Sequence, residues 1–106
     1  MKFGQVIAGA RKKAGLSQKD LAAKLHKEDG EAISPQYLND IERDRRNPPN
    51  EFLLKQLASI LDLPFEFLLF RAGQWPEDLR DQEIKPQEFQ KVFQAFRRDF
   101  DKGKKR

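Results

Sequence analysis

The fold is decided between residues 17 and 46, which read SQKDLAAKLHKEDGEAISPQYLNDIERDRR. Ser17 begins a helix as an N-cap, and an acidic residue follows three positions later, as in a capping box. A second helix begins at Ser34, with Pro35 at the first helical position, where its missing N–H costs no hydrogen bond. The segment His26–Ala32 lies between them and is mostly polar. The stretch therefore predicts two short helices joined by a loop.

Apolar residues continue at helical spacing on both sides of this stretch. A helix is predicted from Phe3 before it, and two helices are predicted after it, one over Asn50–Leu61 and one from Pro64 to about Gly73. No segment shows the alternating pattern of a strand. The sequence thus predicts an all-α fold, with five helices in a domain over residues 1–73.

The composition changes after residue 73. Residues 74–85 are predicted to form a linker, and residues 102–106 a basic disordered tail. Between them, residues 86–101 carry five apolar side chains that fall on one face of an amphipathic helix. We call this face the aromatic stripe, and it consists of Phe89, Val92, Phe93, Phe96 and Phe100.

The aromatic stripe has three interpretations. We favour the first, in which the stripe pairs with that of a second copy and makes a homodimer. In the second, the stripe packs on Trp75, Phe65 or Phe67 of its own domain. In the third, it binds another protein, such as a toxin or an anti-repressor. A membrane-surface helix is disfavoured because acidic residues dilute the positive charge that such helices use.

Charge and residue types exclude several classes of function. The 106 residues include 21 basic and 17 acidic side chains, for a net charge of +4, with no Cys and a single His. Disulfides, thiolate nucleophiles and multi-histidine metal sites are therefore excluded, and there is no glycine-rich phosphate loop. We expect no enzyme, no metal and no cofactor, and the positive charge favours an anionic partner.

The apolar stretches are too short to span a bilayer, and the N-terminus lacks a secretory signal. We therefore expect no membrane association and a cytoplasmic location.

The helix beginning at Ser34 has polar residues on its exposed face. With Leu38 and Ile41 turned inward, Gln36 and Asn39 face solvent. Amide side chains of this kind pair with an adenine edge through two hydrogen bonds. The basic residues that follow lie where a groove-bound helix meets flanking phosphates; they are Arg43, Arg45 and Arg46. An ordinary solvated helix face would have the same composition, so two interpretations stay open at this point.

Two charged residues lie beside apolar stripes. Arg11 follows Ile7 by one helical turn, and Glu42 follows Leu38 by one turn. An unpaired charge in such a position is costly. We therefore predict a structural ion pair between Arg11 and Glu42.

Residues 18–22 (QKDLA), 33–43 (ISPQYLNDIER) and 46–48 (RNP) together resemble the lambdoid repressor/Cro (XRE-type) helix-turn-helix family. The resemblance covers about residues 3–70. It implies a five-helix, lambda-repressor-like DNA-binding domain, followed here by the extra C-terminal helix. In that family the third helix enters the major groove of double-stranded DNA.

The resemblance also implies roles for individual residues. The residues that it places at or near base edges are Pro35, Gln36, Tyr37 and Asp40, and we add Asn39 because of its exposed amide. The residues that it places at the phosphates are Arg43, Arg45 and Asn47, and we add Gln18, Lys19, Ser34 and Arg46 as further candidates. Gln18 is also expected to brace the head of the third helix, and the Arg11–Glu42 pair to brace the first helix against the third.

Two positions depart from the family pattern. The segment His26–Ala32 is several residues longer than the usual turn. We expect it to be inert, with a phosphate contact through Lys27 as the alternative. Asp44 stands where the family prefers Gly, which reaches a left-handed conformation more readily.

The function implied by the resemblance is sequence-specific transcriptional regulation, most simply by a dimeric repressor on a palindromic operator. One alternative is an antitoxin that also regulates its own expression. A second is a protein-interaction module that reuses the fold without binding DNA. The three arginines that follow the third helix argue against that module, although Asp40 and Asp44 weaken the objection.

Overall fold

The computed structural model describes residues 2–104, and these form seven helices without a strand. In chain order they are α1 (Phe3–Lys13), α2 (Gln18–Lys24), α3 (Pro35–Glu42), α4 (Glu51–Leu61), α5 (Phe65–Arg71), α6 (Glu77–Arg80) and α7 (Pro86–Lys104). The chain divides after Pro76 into two compact units. The all-α prediction, with five helices followed by an extra C-terminal helix, is confirmed.

Side-chain caps set where the central helices begin. The Ser17 hydroxyl accepts from the backbone N–H of Asp20 at 2.9 Å, and the Asp20 carboxylate accepts from the N–H of Ser17 at 3.2 Å. Hydrogen bonds from Ser17, first its side chain and then its backbone, lower the pKa of Asp20. Ser34 caps α3 by accepting from the N–H of Tyr37 at 3.0 Å. The predicted starts of α2 and α3 are therefore confirmed.

A single hydrophobic core joins α1 to α5. It buries Leu38 and Ile41 of α3 completely or nearly so, as their helical spacing predicted. Helix α3 packs against both α1 and α2, and α4 packs against α5. The other large side chains that are almost fully buried are Ile7, Leu21, Leu25, Leu54, Leu57, Leu68 and Leu69. This core fixes one face of α3 and leaves the other face exposed.

The segment between α2 and α3 is folded and anchored. The N–H of Lys27 donates to the carbonyl of Glu31 at 2.8 Å, and His26 forms an isolated antiparallel bridge with Ala32. The Gln56 side chain of α4 accepts from the N–H of His26 and donates to its carbonyl, both at 2.9 Å. The additional residues therefore form a tied turn that holds the start of α3.

Asp44 adopts the left-handed conformation that the family gives to glycine, with φ of +56°. Its carboxylate accepts from the N–H of Gly4 at 3.0 Å, in the first turn of α1. A Cβ on Gly4 would clash with the carbonyl oxygens of Ile41 and Glu42. Asp44 thus completes the turn after α3 and also binds the start of α1.

The second unit contains α6 and α7. Helix α6 lies inside the predicted linker, and α7 extends to Lys104. The prediction of a disordered tail from Lys102 is therefore wrong for residues 102–104, while Lys105 and Arg106 lie outside the described residues. No proline interrupts the helix after its first residue, and basic side chains near a helix C-terminus stabilise the helix dipole.

The aromatic stripe lies along one exposed face of α7. Its five side chains are between 39% and 61% exposed. Successive phenylalanine rings stack along the helix, with centroids 6.0 Å apart for Phe89 and Phe93, 6.4 Å for Phe93 and Phe96, and 6.2 Å for Phe96 and Phe100. Among the described residues, no helix is long and apolar enough to cross a membrane.

Candidate nucleic-acid interface

The exposed face of α3 carries a connected set of polar side chains. Gln36 Nε2 donates to Asp40 Oδ1 at 3.0 Å, one helical turn away. Arg46 Nε lies 3.8 Å from Asp40 Oδ2, and the Arg46 guanidinium lies over the Tyr37 ring, 4.9 Å from its centroid. We call these four residues the outer cluster. Because it combines donors, acceptors and an aromatic ring, it can hydrogen-bond to base edges.

Asn39 is held from the side by α2. Gln18 Nε2 donates to Asn39 Oδ1 at 3.1 Å and to Glu42 Oε1 at 3.0 Å. The Asn39 amide nitrogen is therefore directed away from Gln18, where it can donate to a ligand. Gln18 braces α3 in this structure, whereas its expected phosphate contact stays a prediction.

The inner face of α3 ends in the predicted ion pair. Arg11 Nε lies 2.7 Å from Glu42 Oε2, and Arg11 Nη2 lies 3.0 Å from Glu42 Oε1. The remaining Arg11 nitrogen donates to the carbonyl of Leu16 at 2.8 Å. The two side chains are only 10% and 4% exposed. Two parallel hydrogen bonds between buried groups fix the orientation of α3 on α1.

These contacts form one network. The carboxylate of Glu42 accepts from Arg11 and from Gln18, and Gln18 in turn donates to Asn39. The network therefore runs from the core to the exposed side of α3. Through Glu42 and Gln18, the network positions Asn39, which is a candidate base-contacting residue.

The remaining predicted contact residues are exposed around α3. Lys19 lies in the first turn of α2, and Ser34 and Pro35 lie at the start of α3. Arg43 is the C-cap of α3, and the segment after it contributes Arg45, Arg46 and Asn47. The structure thus brings basic groups to the end of α3 and small polar groups to its beginning. Their contacts with phosphates stay predictions.

A groove of about 710 Å³ lies between the α2–α3 segment and α4. Ser34 and Tyr37 line it, but so do the carboxylates of Glu28 and Asp29. Lys27 lines it as well, so the groove combines acidic and basic side chains. The expectation that the longer segment does not contact nucleic acid stays a prediction.

Sequence reasoning missed the contacts within the outer cluster. The four-residue spacing of Gln36 and Asp40 was a usable signal, because side chains at that spacing meet on a helix. The position of Arg46 over Tyr37 had no such signal, since it depends on the turn that Asp44 forms.

Comparison with known proteins gives consistent matches. Residues 7–68, which contain α2 and α3, match the family model described as helix-turn-helix. The transcriptional regulator ClgR of Mycobacterium tuberculosis is 34% identical over 71 residues, which are 67% of this chain and 57% of that protein. The HTH-type transcriptional regulator ImmR of Bacillus subtilis is 36% identical over 69 residues, which are 65% of this chain and 49% of that protein.

The chain therefore spans about half the length of these relatives. Among solved structures, a chain of the SinR protein/SinI protein complex matches with a TM-score of 0.54 and 24% identity. That match covers 92% of this chain and 98% of the other, and it supports the fold.

Proposed function

Because the chain belongs to the XRE-type helix-turn-helix DNA-binding family, we propose that it is a transcriptional regulator that inserts α3 into the major groove of DNA. The observation that carries the proposal is the two-sided character of α3. Its inner side is fixed by the buried Arg11–Glu42 pair, and its outer side presents hydrogen-bonding side chains to solvent. A rigid helix with such a surface suits sequence recognition.

Base contacts and phosphate contacts have separate roles in the proposed binding. Gln36, Asn39 and Asp40 offer donors and acceptors that distinguish base pairs. Arg43 and Arg45 supply affinity through phosphates, and this affinity falls as salt rises. The proposed activity is binding alone, with no catalytic step and no cofactor.

For the intact protein we propose a dimeric repressor on a palindromic operator. A two-fold dimer places two copies of α3 about 34–36 Å apart, which is one turn of DNA. The aromatic stripe of α7 is the proposed contact between copies, because five exposed apolar side chains lie along one helical face. A repressor on such a site would block transcription by occupying the promoter.

Selection of bound duplexes from a random DNA pool tests the proposal. The full chain should enrich a site with two inverted half-sites centred one helical turn apart. Gln36→Ala should lose sequence preference at one position of each half-site while keeping its affinity for bulk DNA. Gln94→Ala, on the opposite face of α7 from the stripe, is the matched control. Failure of the full chain to enrich any sequence over bulk DNA would contradict the proposal.

Sedimentation equilibrium tests the dimer contact. Phe93→Glu should shift the protein from dimer to monomer and weaken binding to a two-half-site duplex, because a charge in an apolar contact is costly. Gln94→Glu adds the same charge on the opposite face of α7 and should remain dimeric. A dimeric Phe93→Glu variant would exclude the stripe as the contact. A monomeric parent protein would favour a different partner for the stripe.

A further inference from the structure

Asp40 places a carboxylate in the middle of the proposed base-contacting surface. One of its oxygens accepts from Gln36 Nε2 at 3.0 Å, and the other lies 3.8 Å from Arg46 Nε. Its side chain is 21% exposed. The carboxylate is therefore held by one hydrogen bond from Gln36, has the Arg46 guanidinium nearby, and still has an open side. A carboxylate on a surface that approaches DNA is unfavourable unless it meets a hydrogen-bond donor there.

Few base edges can provide that donor. In the major groove only the N4 amine of cytosine and the N6 amine of adenine donate, whereas guanine and thymine present acceptors. An ionised carboxylate has acceptors alone, so guanine and thymine repel it. Adenine also carries the N7 acceptor beside its amine, and that acceptor lies against the second carboxylate oxygen. Cytosine has no acceptor on its own major-groove edge, so it is the best match.

The neighbours of Asp40 fix the direction of its carboxylate. Gln36 lies one turn earlier on α3, and Arg46 lies after the left-handed turn at Asp44. Arg46 is itself stacked on Tyr37. The outer cluster therefore holds the carboxylate before DNA arrives, and a preorganised group loses less entropy when it binds.

We propose that Asp40 is a specificity-determining residue that selects cytosine at one position of each half-site. Gln36 and Arg46 act as positioning residues for its carboxylate. The inference rests on the proposed function, because it requires α3 in the major groove. It adds a repulsive element: Asp40 weakens binding to every sequence that lacks the cytosine, since its charge then faces acceptors and phosphates.

The test compares the full chain with Asp40→Asn in the same random-pool selection at one salt concentration. The parent protein should prefer cytosine by about tenfold at one position of each half-site. Asp40→Asn should lose that preference and turn toward adenine, because an asparagine amide pairs with adenine. Preference at the other positions should stay as it was. Affinity for a duplex without the site should rise.

Two further variants make the result specific. Glu66→Gln removes one negative charge from an exposed position on α5, so it controls for net charge and should keep the cytosine preference. Asp40→Ala removes the carboxylate without adding an amide. It should therefore lose the preference for cytosine without gaining a preference for adenine. Thermal melting followed by circular dichroism checks that each variant is folded.

The outcomes separate this inference from the proposed function. If the parent protein enriches no sequence, the proposed function fails and the inference fails with it. If the parent enriches a site that lacks the cytosine, or if both Asp40 variants enrich the parent site unchanged, the inference alone is overturned. The inference is supported if Asp40→Ala and Asp40→Asn lose the preference for cytosine and Glu66→Gln keeps it.

Discussion

Helix α3 has two carboxylates two residues apart, and the structure places them in opposite surroundings. Glu42 faces α1 and forms a close, two-pronged contact with Arg11 in the core. Asp40 faces solvent, and its contact with Arg46 is long and exposed, with 55% of the Arg46 side chain accessible. The difference shows that burial, and not residue type, decides whether an ion pair holds the fold or stays accessible to solvent.

The physical reason lies in solvation. Removing one partner of a buried pair leaves a charge without compensation, whereas water screens an exposed pair and replaces its contacts. The inner face of α3 is therefore intolerant of change, and the outer face is tolerant. If the proposed function holds, DNA-sequence preference can change through the outer face while the helix keeps its position.

The largest expected effect tests the inner face. Glu42→Ala should lower the free energy of unfolding by about 3–5 kcal/mol, because it leaves Arg11 buried and unpaired. Urea denaturation measures the loss. Glu66→Ala, an exposed glutamate on α5, is the control and should change stability little. A loss below about 1 kcal/mol in Glu42→Ala would remove the distinction between the two faces.

A smaller effect is expected between the two faces. Gln18→Ala removes the hydrogen bonds to Asn39 and Glu42 and should cost about 1–2 kcal/mol. The same denaturation experiment measures it, with the exposed neighbour Lys19→Ala as control. The contrast between the two faces is supported if Gln18→Ala loses less free energy of unfolding than Glu42→Ala and more than Asp40→Asn. A loss as large as that of Glu42→Ala would mean that the network acts as one unit.

The outer face should show a weaker effect. Asp40→Asn should change the free energy of unfolding by less than about 1 kcal/mol, because an exposed ion pair contributes little. Its effect should appear in DNA selection instead. A loss comparable with that of Glu42→Ala would show that the outer cluster supports the fold, and the contrast between the faces would then be wrong.

The smallest expected effect concerns Asp20, an exposed carboxylate whose pKa is lowered by hydrogen bonds from Ser17. A lowered pKa in the folded state stabilises the protein above the unfolded value, near 3.8, and this stabilisation is lost as pH falls through the folded value. Asp20→Asn should therefore lose less stability between pH 5 and pH 2 than the parent protein, these limits being about one to two units either side of the usual pKa. Glu66→Gln is the control. If the urea midpoints of Asp20→Asn and of the parent fall by the same amount between these two pH values, the prediction is wrong.

Sequence alone could predict much of the helix pattern, since caps and periodicity are local. The starts at Ser17 and Ser34 followed from residues within three positions of each cap. The Arg11–Glu42 pair was predictable because each charge lies one turn from an apolar residue. A charge buried there without a partner would be costly.

Contacts between distant segments had no local signal. Gln56 meets His26 across 30 residues, and Asp44 meets Gly4 across 40. Both depend on how the helices pack. The helix over residues 102–104 was missed for another reason: a basic composition and a glycine, Gly103, were interpreted as disorder, whereas α7 continues through them.

The anchored turn between α2 and α3 has a consequence for engineering. Gln56 fastens its base, so the tip at Asp29 and Gly30 projects from a fixed support. We therefore expect the angle between the two helices to depend little on how many residues the tip contains. A peptide epitope or fluorophore-binding tag grafted at this tip should therefore leave the orientation of α3 on the core unchanged.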